Sequence, residues 1–521
     1  MYECPNCGGN LKFDIPSQQL SCAYCESKFD PYSIQKETDT VEGDLFEANV
    51  FSCPQCGAEM ICDANDATSF CSYCGSSNIL SSRISREKRP QFIIPFRITK
   101  EDCKKAYQAR MKKAFFAPKE LRDPKYIDSF RGIYMPYWSY RLSQQGRILL
   151  HGQTEKRKGD YVYKDHYNLS ADLDAGYAGY TCDASSGFSD NISRALGPYK
   201  VVDQIQNFTP SFLSGFYAET ADLRPGVYLR EAEIAVSNIT MDHLKKEPFF
   251  QKYGLQSPSE HDRVQMLYTR CDGEDSAMFP VWFMSWRNKD RIAYATVNGQ
   301  NGKVVTDMPV DPKRFFGSSL LAAIPIFLVL NLFFTLRPAI LLTCSAFLAV
   351  AAAFLYRREL ANILAIETYA DDRGMQVKKP QSGNPKEKVK KSDSLTFGKL
   401  FSTCVVALVI LISLQTINMA EPAIWVGAII AMIVLCADVR KEHRKLKGIN
   451  GGAGAMLAMA ALGIGAIVRL VQPVSDMWYY ASALLILLTV VFILADLIRN
   501  YNRLAMRKLP QFNKKGGDDN A

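Results

Sequence analysis

The sequence predicts a multi-domain protein with two small Cys4 zinc ribbons, a mixed α/β, strand-rich soluble domain and an α-helical membrane domain of about six spans. Three observations predict this fold class. Eight of the 15 cysteines form two equally spaced sets near the amino terminus. Aromatic and β-branched runs interrupted by proline fill the middle of the chain, which is typical of strands. From about residue 316 onward, long apolar runs alternate with basic clusters.

Length and composition allow this organisation. A chain of 521 residues is long enough for several domains. Its 48% hydrophobic and 22% charged residues are typical of an ordered protein. The formal net charge is +9, but much of the excess lies beside the apolar runs and does not by itself indicate nucleic-acid binding. The opening "MYECPNCGGN" lacks the basic and apolar regions of a signal peptide.

The two cysteine sets share the spacing C-x2-C-x14-C-x2-C and comprise Cys4, Cys7, Cys22, Cys25 and Cys53, Cys56, Cys71, Cys74. Zinc takes four thiolates in a tetrahedron, and each C-x2-C turn supplies two of them. Gly8 and Gly57 suit such tight turns. Disulfide loops or a redox pair are the alternatives, but the repeated spacing and the absence of a secretory signal favour zinc. The sequence therefore predicts two structural Zn²⁺ sites.

A closed Cys4 site has no open coordination position for catalysis. The chain also lacks GxSxG, HExxH and GxxxxGK[ST] motifs. Its five histidines are dispersed among polar neighbours. The sequence therefore predicts a protein that is not an enzyme.

The soluble part divides into a first zinc ribbon at 1–35, a linker at 36–49, a second ribbon at 50–80, a basic linker at 81–91 and a cytosolic α/β domain at 92–315. Within this domain, "KEDCKKAYQARMKKAFF" predicts an amphipathic helix that Thr99 caps, with Asp102 three residues on. The stretch "FPVWFMSWRNKDRIAYATVNGQNGKVV" predicts successive hairpins, because a polar turn and two Asn-Gly pairs separate its strand-like runs.

Six apolar runs near the length of a spanning helix follow, at 318–336, 338–356, 400–417, 422–437, 453–471 and 478–495. They give a transmembrane hairpin at 316–356, a polybasic cytosolic loop at 357–398, two further hairpins at 399–498 and a basic tail at 499–521. The three short turns within the hairpins hold one basic residue, Arg337, whereas the other connections and the tail are rich in lysine and arginine. Because such residues accumulate on the cytosolic side, both termini are predicted to be cytosolic.

Several phrases carry a family resemblance beyond the cysteine spacing: "FIIPFRITKEDCKKAYQ", "GIYMPYWSY", "FTPSFLSGFYAE", "FPVWFMSWRNKDRIAYATVNGQNGKVV" and the tail "LPQFNKKGGDDNA". With the ribbons, they resemble bacterial TFIIB-type zinc-ribbon multi-pass membrane proteins, which are often mistaken for primosomal helicases. The resemblance implies zinc at the eight cysteines and residence in the bacterial cytoplasmic (inner) membrane. It also implies envelope-stress partners: phage-shock coiled-coil proteins, flotillin-like (SPFH) proteins, TPM-domain proteins and toxic-anion-resistance proteins.

The leading functional expectation is an inner-membrane adaptor or scaffold that presents a cytosolic docking surface. One alternative is a membrane-tethered nucleic-acid-binding regulator, which the basic segment 83–113 would serve, although neither ribbon is basic. Another is a transporter or pore with a zinc-ribbon regulatory head, although no acidic or basic residue lies in the middle of a span. The oligomeric state stays open.

Overall fold

Strands dominate the chain before residue 312, and helices dominate the rest. The computed structural model describes residues 2–34, 45–61, 71, 73–76, 81–289, 291–333, 337–367, 372–374, 421–445 and 452–508.

The strands are β1 (Leu11–Asp14), β2 (Gln19–Cys22), β3 (Lys28–Phe29), β4 (Leu45–Ser52), β5 (Glu59–Ile61), β6 (Ser81–Lys88), β7 (Phe92–Ile93), β8 (Arg131–Lys158), β9 (Tyr161–Asp183), β10 (Gln206–Asn207), β11 (Tyr217–Ala218), β12 (Thr269–Asn288), β13 (Arg291–Asn298), β14 (Val304–Thr306) and β15 (Arg507–Lys508). The α-helices are α1 (Lys100–Lys113), α2 (Pro124–Ile127), α3 (Asp190–Leu196), α4 (Val201–Gln204), α5 (Leu229–Lys246), α6 (Pro248–Lys252), α7 (Glu260–Met266), α8 (Pro312–Phe333), α9 (Pro338–Glu367), α10 (Glu421–Lys445), α11 (Ala453–Val471) and α12 (Met477–Leu504).

The first ribbon forms a sheet of its own, in which β2 lies between β1 and β3. It docks on the α/β domain through Phe13, whose ring centroid lies 5.3 Å from that of Phe212 and 6.5 Å from that of Phe216. Phe13 also donates its backbone N–H to the carbonyl of Ser214 at 3.0 Å. Because Phe13 and Phe212 are both buried, this small sheet shares the core of the larger domain.

The main sheet has the order β10-β7-β12-β8-β11-β5-β4-β6, with β9 on β8 and β13 on β12. The strand-rich domain is thus present as predicted. Both predicted hairpins are confirmed, because β12 pairs with β13 and β13 pairs with β14. The helix expected after Thr99 is also confirmed: the Thr99 side chain accepts a hydrogen bond from the backbone N–H of Asp102.

The second ribbon is built into the main sheet, since Ile61 of β5 pairs with Ala218 of β11. This changes the expected limits of its linkers. The structure has strand β4 from Leu45, within the expected linker 36–49, and strand β6 in most of the expected basic linker 81–91. The two strands pair over eight residues. β6 (SSRISREK) consists of polar and charged residues apart from one apolar residue, Ile84, so its sequence alone resembles a linker.

Helices α9, α10, α11 and α12 share an apolar core, to which α8 contributes no described side chain. Four helices, α8, α9, α11 and α12, are long and apolar enough to cross a membrane. They correspond to the first, second, fifth and sixth predicted spans. The fourth predicted span lies in α10, whose described portion is not among the four, and the third lies outside the described residues. Four of the six predicted spans are therefore supported.

The helical bundle is joined to the main sheet at its end. After α12 the chain forms β15, which pairs with β13. Arg291 donates hydrogen bonds to the carbonyls of Arg503 and Met506 at 2.8 and 2.7 Å. The side chain of Asn502 bonds to both the N–H and the carbonyl of Val310, at 2.6 and 2.7 Å.

Candidate metal centres

Each C-x2-C pair folds into a tight turn with the same two hydrogen bonds. In the first turn, Cys4 donates its N–H to the carbonyl of Gly9, and Gly8 donates to the carbonyl of Cys4, at 2.7 and 2.8 Å. The other three turns repeat this pattern at 2.8 to 3.0 Å. The residue after the second cysteine of each turn has a positive φ: Gly8 (71°), Glu26 (58°), Gly57 (75°) and Gly75 (66°). Glycine adopts this conformation without steric cost, whereas for Glu26 the same conformation carries a steric cost.

The turns bring the eight predicted sulfur ligands together in two groups of four, and within each group the atoms lie within 4.8 Å of one another. The Sγ atoms of Cys4 and Cys25 are 3.5 Å apart, and those of Cys7 and Cys22 are 3.4 Å apart. In the second group, the pairs Cys53–Cys74 and Cys56–Cys71 are both at 3.7 Å.

These separations fit zinc. A tetrahedron with Zn–S bonds of about 2.3 Å has sulfur–sulfur edges of about 3.8 Å. They are also much longer than a disulfide bond, and the cysteines are free thiols. Each group could therefore hold one structural zinc ion, which would cross-link two turns of a module too small for a substantial core of its own.

The two centres differ in exposure although their spacing is the same. In the first, Cys4 and Cys22 are buried while Cys7 and Cys25 are exposed. In the second, all four cysteines are buried. The difference follows from the fold, because the second ribbon is part of the main sheet and the first lies on the surface of the domain.

A tyrosine within the last turn of each ribbon marks this difference. Tyr24 is 80% exposed, whereas Tyr73 is completely buried. The Tyr73 hydroxyl donates to a carboxylate oxygen of Glu219, and the other oxygen of Glu219 accepts from the Ser185 hydroxyl at 2.6 Å. The Tyr294 hydroxyl donates to the backbone carbonyl of Tyr73 at 3.0 Å. Burial, and next the charge of Glu219, raises the pKa of Tyr73 well above its usual value.

The chain matches a protein of Bacillus subtilis (strain 168) named "Uncharacterized protein YdjG", with 31% identity over 313 residues. The match covers 90% of that protein and 59% of this chain. The chain belongs to the YdjG family. No family model matches the sequence, and no solved structure is similar to it.

The name of the YdjG relative states no activity. The chemistry of the two centres is therefore inferred from their own residues. Sequence reasoning named all eight cysteines of the two groups but missed Tyr73, Glu219 and Ser185, which anchor the second ribbon. The parallel motifs "CAYC" and "CSYC" gave a signal for the tyrosine. Nothing in those motifs distinguishes the exposed ring from the buried one, because that depends on the residues around Glu219, far along the chain.

Proposed function

We propose that this protein is a zinc-ribbon adaptor or scaffold of the bacterial cytoplasmic (inner) membrane that presents a cytosolic docking surface to protein partners. The proposal rests on one observation: the second ribbon and the chain that follows the last membrane helix belong to the same sheet. One sheet contains strands of the second ribbon and also β15, the strand that follows the last membrane helix. A partner bound at the ribbons would thus be held at a fixed position relative to the membrane.

The sidedness of the helices supports two cytosolic termini. Because β15 pairs with β13, the end of α12 lies on the same side of the membrane as the soluble domain. The carboxyl-terminal halves of α9 and α10 lie together, since Arg357 pairs with Asp438 at 2.8 Å and Tyr356 bonds to His443 at 2.8 Å.

The last turn of the first ribbon, Cys22–Cys25, is suited to a docking surface. Tyr24 is largely exposed, and it lies between Cys22 and the exposed Cys25. Exposed aromatic side chains on a rigid support are common contact points in protein interfaces. By family resemblance, the partners would be phage-shock coiled-coil, flotillin-like (SPFH) or TPM-domain proteins.

Ion pairs within the basic segment 83–113 favour protein partners over nucleic acid. Arg86 lies 3.6 Å from Glu47, and Lys104 lies 2.9 Å from both Glu101 and Asp128. Carboxylates thus neutralise part of the charge that phosphate binding would need.

Affinity capture tests the proposal. The full chain, tagged at its tail and solubilised in detergent, is compared with its Tyr24→Ala and Tyr24→Phe variants, and zinc content is measured in each. We expect the same proteins to copurify with the wild-type chain and with Tyr24→Phe, and to be depleted with Tyr24→Ala at unchanged zinc content. Recovery of no protein above an untagged control would count against an adaptor. Salt-dependent recovery of DNA or RNA alone would favour the regulator.

A further inference from the structure

Strand β9 forms an open edge of the main sheet. It spans Tyr161–Asp183 and pairs with β8 along its length. From Tyr161 to about Gly176, its other edge has no backbone hydrogen bond to the described residues. Such an edge presents a row of free N–H and C=O groups to another strand.

The outer edge of β8 is covered at residues 151–153, in the part of the hairpin where β9 is open. Gln153 donates its N–H to the carbonyl of Gly254 at 3.0 Å, and Gln256 donates to the carbonyl of His151 at 2.8 Å. A Cβ added at Gly152 would lie 2.3 Å from the carbonyl oxygen of Tyr253. The loop at 253–256 therefore interrupts the outer edge of β8, whereas the edge of β9 is continuous from Tyr161 to about Gly176.

The two faces of β9 differ. Odd-numbered side chains from Tyr167 onward, including the buried Leu169, lie against the core formed with α5 and α6. Even-numbered residues from Asn168 to Gly176 are exposed. Towards the tip of the hairpin, Tyr161 and Tyr163 point to the same face as Leu169 but are 74% and 56% exposed. These two rings lie beyond the cover that the helices provide.

We propose that β9 pairs antiparallel with β9 of a second copy of this chain, with the two-fold axis at Asn168. In this register Tyr163 faces Leu173 of the second copy, and Tyr161 faces Ala175. Both copies keep their odd-numbered side chains on one face of the joined sheet, so the exposed rings gain apolar neighbours. An isologous contact of this kind closes after two chains and removes both open edges.

Charge supports a second copy as the occupant. In the same register Lys164 faces Asp172 of the second copy, and symmetry repeats the pair. Lys164 bonds to Glu155 on β8 at 2.8 Å but is 53% exposed, so its ammonium can reach a further carboxylate. With the axis moved to Leu169, Lys164 would still face an acidic residue, Asp174, but Asp165 would face the apolar Leu173 and Tyr163 would face the smaller Ala175, which is less favourable. The proposal goes beyond the adaptor function, since it concerns the number of copies in the assembly.

Cysteine cross-linking in membranes holding the full chain tests the register. Asn168 lies on the axis, so the two Cα atoms would be about 4.5–5.5 Å apart, within the roughly 4.4–6.8 Å that a disulfide spans. We expect Asn168→Cys to form a disulfide-linked dimer on mild oxidation. Ser170→Cys is the matched control: it faces His166, so it should not cross-link alone, whereas the His166→Cys/Ser170→Cys double variant should.

Charge exchange gives a second readout. We expect Lys164→Asp to lower the dimer fraction of the Asn168→Cys chain, and Lys164→Asp/Asp172→Lys to restore it. The wild-type chain, oxidised in parallel, measures cross-linking through native cysteines. The proposal is overturned if Asn168→Cys cross-links no more than the wild-type chain or Ser170→Cys. It is also overturned if the charge exchange fails to restore a dimer that the single change has weakened.

Discussion

At the scale of single residues, the two ribbons offer a matched comparison, because the same residue type occupies equivalent positions in different surroundings. Tyr24 and Tyr73 both lie one residue before the last cysteine ligand. The hydroxyl of Tyr73 bonds to Glu219 in the interior, and Tyr24 is largely exposed. A substitution that removes only the hydroxyl therefore isolates the effect of burial.

We expect Tyr73→Phe to destabilise the protein, because buried Glu219 would lose a hydrogen-bond donor. Removing a donor from a buried charged partner costs about 1–3 kcal/mol. Tyr24→Phe should leave stability unchanged. Thermal unfolding of the full chain in detergent measures both variants, and equal shifts of the midpoint would contradict the assigned role of Tyr73.

A second prediction concerns Glu26, which has the positive φ that glycine has in the other three turns. We expect Glu26→Gly to stabilise the first centre by about 1 kcal/mol, because a left-handed conformation costs a non-glycine residue about 1–2 kcal/mol. Gly8→Glu is the reverse control: an added Cβ there meets no atom within 4 Å, so only the backbone cost is changed. Zinc retention against a competing chelator should rise in the first variant and fall in the second.

At the scale of elements, the exposure of the two ribbons predicts an order of zinc release. Cys7 and Cys25 are accessible to a chelator, whereas all four ligands of the second ribbon are buried. We expect release from the full chain in two phases, the faster from the first ribbon. A chromogenic chelator follows both phases, and Cys7→Ser should abolish the fast one. Loss of the slow phase in that variant would reverse the assignment.

The end of β9 carries a buried acid whose titration should be measurable. Asp183 is 3% exposed, and one of its carboxylate oxygens has no hydrogen-bond partner among the described residues. Burial, and next the charges of Asp190 and Asp372, raises its pKa well above the ordinary value, although Ser193 opposes the shift. The folded state therefore holds this proton more tightly than the unfolded chain.

The sign of the pH dependence follows. The stabilisation is fully present below the unfolded pKa of about 3.9 and is lost as the pH rises through the higher folded-state value. Asn at position 183 would mimic the protonated acid at every pH. We expect Asp183→Asn to unfold at a higher temperature than the wild-type chain, by a margin that grows from pH 5 to pH 8. Exposed Asp203→Asn is the control, and a margin independent of pH would contradict the assigned titration.

The sequence predicted those features that depend on local pattern. The two cysteine groups, the Thr99 cap and the β12–β13 hairpin each follow from spacing or from turn residues close in the chain. Strand β6 was missed because its cross-strand partner, β4, lies about 35 residues earlier, so pairing rather than apolar alternation defines it. The docking of Phe13 on Phe212 and Phe216 was missed for the same reason.

At the scale of the whole molecule, the junction between sheet and bundle determines how the two halves act on each other. The loop before α8 and the end of α12 meet at Asn502, while Arg291 fixes the chain that follows α12. Helix α8 contributes no described side chain to the bundle core, and its first turn is also held by Arg314, which bonds to the carbonyl of Ala117, and by Phe315, which packs on Phe116. Loss of the Asn502 contacts should therefore loosen the loop before α8 without unfolding the ribbons.

Asn502→Ala tests this coupling. The variant removes two hydrogen bonds to Val310, each worth about 0.5–1.5 kcal/mol. We expect amide hydrogen exchange near Val310 to quicken in the full chain in detergent, while both ribbons keep their zinc and their protection. Asn502→Asp should be intermediate, because a carboxylate can accept from the Val310 N–H but cannot donate to its carbonyl. Unchanged exchange near Val310, or equal loss of protection in the ribbons, would show that the two halves are coupled elsewhere.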